Sequence, residues 1–330
     1  MDNFNNTSLT ISHSTTIPHS QETQFVESIT NVVEYSSNLV AFLLTINIAM
    51  EILTILGNLT VIVTVVAYRQ LWVPTNILVA SLAVADFIIG LILQTSNALN
   101  LLNALSRGKR HCGLQCTNLV KITGVVIITV SFAHLSLITL DRYASIIYPL
   151  RYVTIVSMSR TKKAVLFAWM TSFLFGSLTS IPSSFGKGIS ALWHLLVALT
   201  CAFMITFYGR LYLISRKHAK KIRDEIQSVT PGAETKQERR GLMSVAIVTV
   251  AMVTSYVPVV ALEIDKKLAS GERGETAKLV HDIVYQFAII LILFNSSLNP
   301  LVYFFRSKKL RKYSSKLIKY IARRIQEWFN

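Results

Sequence analysis

At 330 residues the chain is long enough for one large domain or two small ones, yet 52% hydrophobic against 15% charged residues is too apolar for a water-soluble fold. The formal net charge of +16 invites a nucleic-acid partner. Most of these cations instead flank long apolar runs, where anionic lipid attracts each Lys or Arg by roughly 1 kcal/mol, so the pattern argues against nucleic acid and for an all-α membrane protein.

In chain order, residues 1–38 form a Ser/Thr-rich stretch expected to be a disordered extracellular tail. Asn5 and Asn6 each open a glycosylation acceptor, with Thr7 and Ser8 as the hydroxyl residues. The start lacks the basic, apolar and small-residue order of a cleavable leader, so the first span is expected to direct insertion. Seven runs approach the roughly 20 residues that cross a bilayer. They lie near 41–67, 77–98, 117–147, 163–182, 190–214, 242–264 and 279–305, giving a membrane domain over 39–305 and a cytoplasmic segment over 306–330. No Lys or Arg occurs in the first 50 residues, whereas Lys217, Lys220, Lys221, Arg223, Lys236 and Arg239 precede the sixth span and Arg306, Lys308, Lys309, Arg311 and Lys312 follow the seventh. The positive-inside rule then places the N-terminus outside and the tail in the cytoplasm of a multi-pass plasma-membrane protein.

Polar residues inside these spans gather at one depth. Asn58, Asp86, Ser131, Asn295 and Asn299 all fall near mid-bilayer when each helix is counted at about 1.5 Å per residue. Asp86 costs about 2.5 to 3.5 kcal/mol at a helix centre, so it faces protein or water. One reading is a protonated carboxyl bonded by Asn58 and Asn299 and serving only packing. The other is an ionisable site in a wet cavity, holding a small cation with Ser131, Asn295 and Asn299, since hard cations prefer oxygen ligands. Ser131 and Arg142 lie three turns apart on one face of the third span, which ends at Asp141-Arg142-Tyr143. A lone Arg there would snorkel to the interface. Here Asp141 and Glu238 offer two carboxylates to restrain it.

Together these residues carry a resemblance, over roughly 40–318, to the rhodopsin-like (class A) G-protein-coupled receptors. Gly57-Asn58 resembles the first-span signature and Ser81-Leu-Ala-Val-Ala-Asp86 the second. Asp141-Arg142-Tyr143 with Ile146, Pro149 and Leu150 is similar to the third-span motif and its loop. Trp169, Tyr208, Pro258 and Asn299-Pro300-Leu-Val-Tyr303 resemble the marks of the fourth to seventh spans. The resemblance implies a seven-helix bundle with a short amphipathic eighth helix. It also implies a receptor that passes an extracellular ligand signal to a heterotrimeric G-protein as the sixth span swings outward. Arg142 would be held by Asp141 and Glu238 and released toward Tyr208 and Tyr303, and Asp86, Ser131, Asn295 and Asn299 would form a sodium pocket. No other cofactor and no enzymatic chemistry are expected.

Departures from that pattern are specific. Tyr256 stands two residues before Pro258 where the family usually has Trp, and Met252 replaces the usual Phe, so this trigger repacks. Thr200 stands where the fifth span usually has Pro. The family's disulfide from the third span to the second outer loop has no loop partner, because residues 183–190 contain no Cys. Cys112 and Cys116, four apart, either bridge locally or remain free thiols, and Cys201 reads as a small buried hydrophobe. A short second loop without Cys, and a fifth span without Pro, are similar to the melanocortin, lysophospholipid and cannabinoid receptors.

Gly124 replaces the Asp that aminergic receptors carry eighteen residues before the Arg, which argues against an amine held by that ion pair. Candidate ligand contacts are Glu51, Asn97, Lys121, Gly124, His194, Tyr256 and Glu263; each is also compatible with an interfacial position, and His134 with helix packing. Lys121 is expected about two turns into the third span, where a charge needs a partner. After the seventh span, Leu310, Tyr313, Leu317, Ile321 and Ile325 alternate with Lys and Arg, the pattern of a helix lying on membrane lipid. The tail carries no Cys for palmitoylation, and its aliphatic hydroxyls are Ser307, Ser314 and Ser315, so arrestin recruitment by the tail is expected to be weak, with Ser228 and Thr230 remaining in the third inner loop. The alternative function, a seven-span transporter or ion channel, expects internal repeats or a polar path through the membrane, and no repeat is present.

Overall fold

The computed structural model describes residues 19–107, 118–181, 184–225, 250–252, 254–262, 264–265 and 275–329. Expectations placed on Asn5, Asn6, Cys112, Cys116, Glu238 and Glu263, and on the Tyr208 side chain, lie outside what is described.

The described backbone is a bundle of helices: α1 (His19–Ala67), α2 (Pro74–Ile88), α3 (Thr95–Arg107), α4 (Asn118–Ile147), a one-turn α5 (Tyr152–Ile155), α6 (Met158–Thr179), α7 (Ser184–Glu225), α8 (Val250–Leu262, Val253 aside), α9 (Glu275–Arg306) and α10 (Lys308–Phe329). A π-helical turn, Ile89–Gln94, joins α2 to α3, so these two make a single span. Five stretches are long and apolar enough to cross a membrane: Ser37–Ala67, Pro74–Ser106, Leu119–Ile147, Gly188–Phe207 and Ile283–Phe305. Helix α6 and the shorter α8 take the remaining two places.

Local chemistry explains where these helices begin and end. Pro74 opens α2 from an extended Val73, as a residue with fixed φ and no N–H favours the first helical position. Ser157 caps α6 by accepting the Arg160 N–H, and the Ser307 hydroxyl accepts the Leu310 N–H at the start of α10. The helix expected from about residue 41 instead begins at His19, inside the segment read as a disordered tail. No Gly or Pro interrupts the chain between His19 and Leu56, so a helix nucleated in the apolar span propagates outward through these polar residues. The eighth helix is likewise longer than the short element expected, at 22 residues.

Two apolar clusters sandwich the polar layer. One includes Val40, Leu43, Ile89, Val126, Ile127 and Leu293; the other includes Val61, Leu78, Leu82, Leu135, Ile138 and Leu310. Serine and threonine hydroxyls inside the spans donate to their own helix, as Thr54 does to the Met50 carbonyl and Ser131 to that of Ile127. That local bond lets a hydroxyl sit in an apolar bundle without a second helix to satisfy it.

Candidate functional site

Pro300 sits inside α9 and has no N–H to give the carbonyl of Ser296 one turn back. The Asn58 amide supplies the missing donor, reaching the Ser296 carbonyl at 3.1 Å and the Thr54 carbonyl of its own helix at 2.9 Å. Asn58 therefore serves the backbone at the proline and leaves Asp86 to others, unlike the direct bond that one of the two readings of Asp86 required. The close approach depends on Gly57, because a Cβ there would stand 2.9 Å from the Pro300 ring. Asn299 is thereby aimed at α2, where its Nδ2 donates to Asp86 Oδ2 at 2.7 Å. Ser296 lines the same pocket as Asp86.

Around this pair lies a cavity of about 30 Å³, lined on its polar side by Asp86, Ser131, Asn295, Ser296 and Asn299. One water needs roughly 10–15 Å³ in the same measure, so the space admits a small ion or one to two waters. The Asn299 Oδ1 is buried with no bond from the protein, and the Ser131 oxygen keeps lone pairs after donating to Ile127. A carboxylate, an unpartnered amide oxygen and hydroxyl oxygens are the donor set that a hard monovalent cation takes. Ser296 was absent from the sequence-derived set, although its place one turn before Pro300 was visible.

Met252 and Tyr256 of α8 also line the cavity. Tyr256 packs edge-on against Phe132 at 5.8 Å and against Trp193 of α7 at 6.0 Å. Trp193, which the sequence reading passed over, donates its indole N–H to Thr129 at 2.7 Å. An indole from α7 thus stands beside the tyrosine that replaces the expected tryptophan of the sixth span. Pro258 lies one half-turn further out, in the same helix.

At the far end of α4, Arg142 bonds Asp141 through Nε at 3.0 Å and through Nη2, and Nη2 also donates to the Thr75 hydroxyl at 2.7 Å. Thr75 donates to Asp141 at 2.9 Å, and the Tyr152 hydroxyl donates to the other Asp141 oxygen at 2.7 Å. Burial, reinforced by the Asp141 carboxylate it faces, pushes the Tyr152 phenol above its ordinary value, so it remains a donor at physiological pH. Thr75 and Tyr152 were missed in the sequence; Thr75 directly follows the Pro that opens α2, which was the available signal. Tyr143 packs on Phe207 of α7, with ring centres 4.7 Å apart. Tyr303 is buried in the cluster that includes Leu135, Ile138 and Leu310.

The described candidate ligand contacts fall in more than one place. Glu51 accepts the Thr95 hydroxyl at 2.7 Å and Asn97 donates to Asn47 at 3.0 Å, both in the seam between the first and second spans. Lys121 is exposed and lies in the first turn of the described α4. His194 and Tyr256 both pack against Trp193, at 4.8 and 6.0 Å, and among the described residues a Cβ on Gly124 would meet Leu93 at 4.0 Å. His134 bonds the Val130 carbonyl and Ser81, and Ser81 also takes the Trp169 N–H at 3.0 Å, a closed network joining α2, α4 and α6.

Residues 57–191 match the family described as 7 transmembrane receptor (rhodopsin family). The chain is 29% identical over 301 residues to trace amine-associated receptor 7d of Rattus norvegicus, covering 81% of this chain and 79% of that one. It is 26% identical over 293 residues to trace amine-associated receptor 9 of Mus musculus, covering 79% and 80%, and 27% identical over 294 residues to the mouse receptor 7e, covering 79% and 77%.

Proposed function

Given that the chain belongs to the rhodopsin-like (class A) family of G-protein-coupled receptors, and so is a multi-pass plasma-membrane receptor and not an enzyme, we propose that Asp141, Thr75 and Tyr152 together hold Arg142 in its resting position. The observation that carries this reading is the closed set of bonds around Asp141, whose carboxylate accepts from three side chains. Release of Arg142 exposes a cation at the cytoplasmic mouth, next to a loop on which Leu150 is 99% exposed. A G-protein meets both a charge and an apolar contact there. Tyr143, Glu238, Tyr208, Asn299, Pro300 and Tyr303 complete the switch, and Met252, Tyr256 and Pro258 relay ligand binding to it.

The cavity at Asp86 takes a sodium ion, held by Asp86, Ser131, Asn295 and Asn299 with Ser296 added. Its positive charge favours the packed arrangement of the second, third and seventh spans. The N-terminus lies outside and α10 lies on the anionic inner leaflet. Ser314 is buried and shares a 3.0 Å hydrogen bond with Thr64, so a docked α10 hides it from a kinase and leaves Ser315. That supports weak arrestin recruitment by the tail.

The relatives carry trace amine in their names. In this chain Gly124 stands where an amine-pairing Asp would, and Glu51 is engaged by Thr95, which supports a ligand held without a third-span ion pair. The test is Arg142→Ala in cells: ligand-independent and ligand-driven G-protein activation should vanish at unchanged surface expression. Full signalling by that variant sinks the mechanism.

A further inference from the structure

The Ser314 hydroxyl is buried in the seam between α10 and α1. It is 3% exposed and shares a 3.0 Å hydrogen bond with Thr64, itself 0% exposed. Beside it Tyr313 packs on Tyr68 with ring centres 4.7 Å apart, and Leu310, one turn earlier, joins Val61 and Val65 in an apolar cluster. The charges lie on the other side. Arg311 and Lys312, three and two positions ahead of Ser314, are exposed, and α10 carries eight Lys or Arg against a single acidic residue, Glu327. Arg and Lys at those two positions are what an acidic substrate groove of a kinase selects by charge. Ser315 is exposed and has Lys312 three positions ahead.

We infer that Ser314 is a phosphorylation site for a basic-directed serine kinase, and that its modification and the docking of α10 on α1 exclude one another. A kinase groove takes its substrate extended, so α10 must leave α1 and unwind around Ser314 before the hydroxyl is reached. In the step itself the Ser314 Oγ attacks the γ-phosphorus of Mg-ATP. The new O–P bond forms as the bond to the β–γ bridging oxygen breaks, ADP leaves, and the hydroxyl proton passes to the kinase's aspartate. The product cannot redock, because phosphoserine brings close to two negative charges and three acceptor oxygens to a seam where Thr64 offers one hydroxyl. Once free, the phosphate lies one turn from Arg311 on the same side of the helix and forms a charge-assisted pair with it. It also offsets roughly two of the cations that hold α10 to anionic lipid. Docked Leu310 shares a cluster with Tyr303, so the latch ties the tail to α9. The inference rests on the proposed cytoplasmic placement of α10, where ATP is available.

The probe is the catalytic subunit of cAMP-dependent protein kinase with Mg-ATP, applied to the full-length receptor in lipid nanodiscs. Fragmentation mass spectrometry separates phosphate on Ser314 from phosphate on Ser315. Ser314 should be modified slowly, and Tyr68→Ala, which weakens docking without altering the sequence the kinase reads, should speed it by roughly tenfold, about 1.4 kcal/mol in the docking equilibrium. Thr64→Val should do the same and stands in if Tyr68→Ala fails to fold. Arg311→Ala should suppress the reaction, and amide hydrogen exchange across residues 308–317 should rise once Ser314 is phosphorylated. Phosphate on Ser315 alone, or on neither serine, overturns the site, and a full rate in Arg311→Ala overturns the class of kinase. A Ser314 rate indifferent to both α1 variants, or unchanged exchange after modification, overturns the mutual exclusion. Nanodiscs are open on both faces, so these results stand apart from topology; a C-terminal epitope that stains intact cells rejects the cytoplasmic placement instead.

Discussion

Asn58 and Asp86 show how little a residue's chemistry says about its partner. Both were legible as expensive polar groups at one depth, and the expected contact between them was reasonable from depth alone. In the fold, Asn58 is committed to the carbonyl that Pro300 leaves unpaired, and Asn299 takes Asp86. Asn58→Ala should therefore lower thermal stability, by about 1–3 kcal/mol for an acceptor left buried without a donor, as read from melting of the purified receptor. Asp86→Asn keeps shape and hydrogen bonding but removes the charge. Sodium should then no longer weaken agonist binding, and a persisting sodium effect would falsify the site. Tyr152→Phe deletes one of the bonds to Asp141 while keeping the ring, and basal G-protein signalling should rise. An unchanged basal level would mean that Thr75 and Asp141 alone hold Arg142.

Among the elements, the spans were read from apolar length, and the described helices fall in the expected order with ends displaced by local rules. The extension of α1 to His19 followed from an uninterrupted helix-compatible stretch that hydropathy does not register. The π turn in the second span had no sequence signal beyond Gly90. It is decided by packing, because Gly90 must lie against Ile55 and Thr54 while the polar face of α3 turns toward Asn47 and Glu51. Gly90→Ala should strain this seam and lower stability by about 1–3 kcal/mol, the usual penalty of overpacking. Helix α10 shows the converse case, where spacing alone predicted an amphipathic surface helix. Leu310 and Ser314 dock on the bundle, while Ile318, Ile321, Ile325 and Trp328 remain exposed beside their basic neighbours. Only the docked half depended on tertiary contacts.

For the whole molecule, the charge asymmetry predicts an N-terminus outside the cell, which an N-terminal epitope tag tests. It should stain intact cells, and enzymatic deglycosylation should shift the receptor's mobility unless Asn5→Gln and Asn6→Gln are combined. Staining only after permeabilisation would reverse the topology. Fold class, membrane residence and receptor family were all determined by the sequence itself, since apolar length, a mid-depth polar layer and ordered motifs are properties of spacing along each helix. Which polar groups meet was decided only by the tertiary structure. Helix periodicity fixes the face on which Asp86 or Arg142 lies, but the rotation and closeness of neighbouring helices, set at Gly57 and Pro300, choose Asn299 and Thr75 as their neighbours.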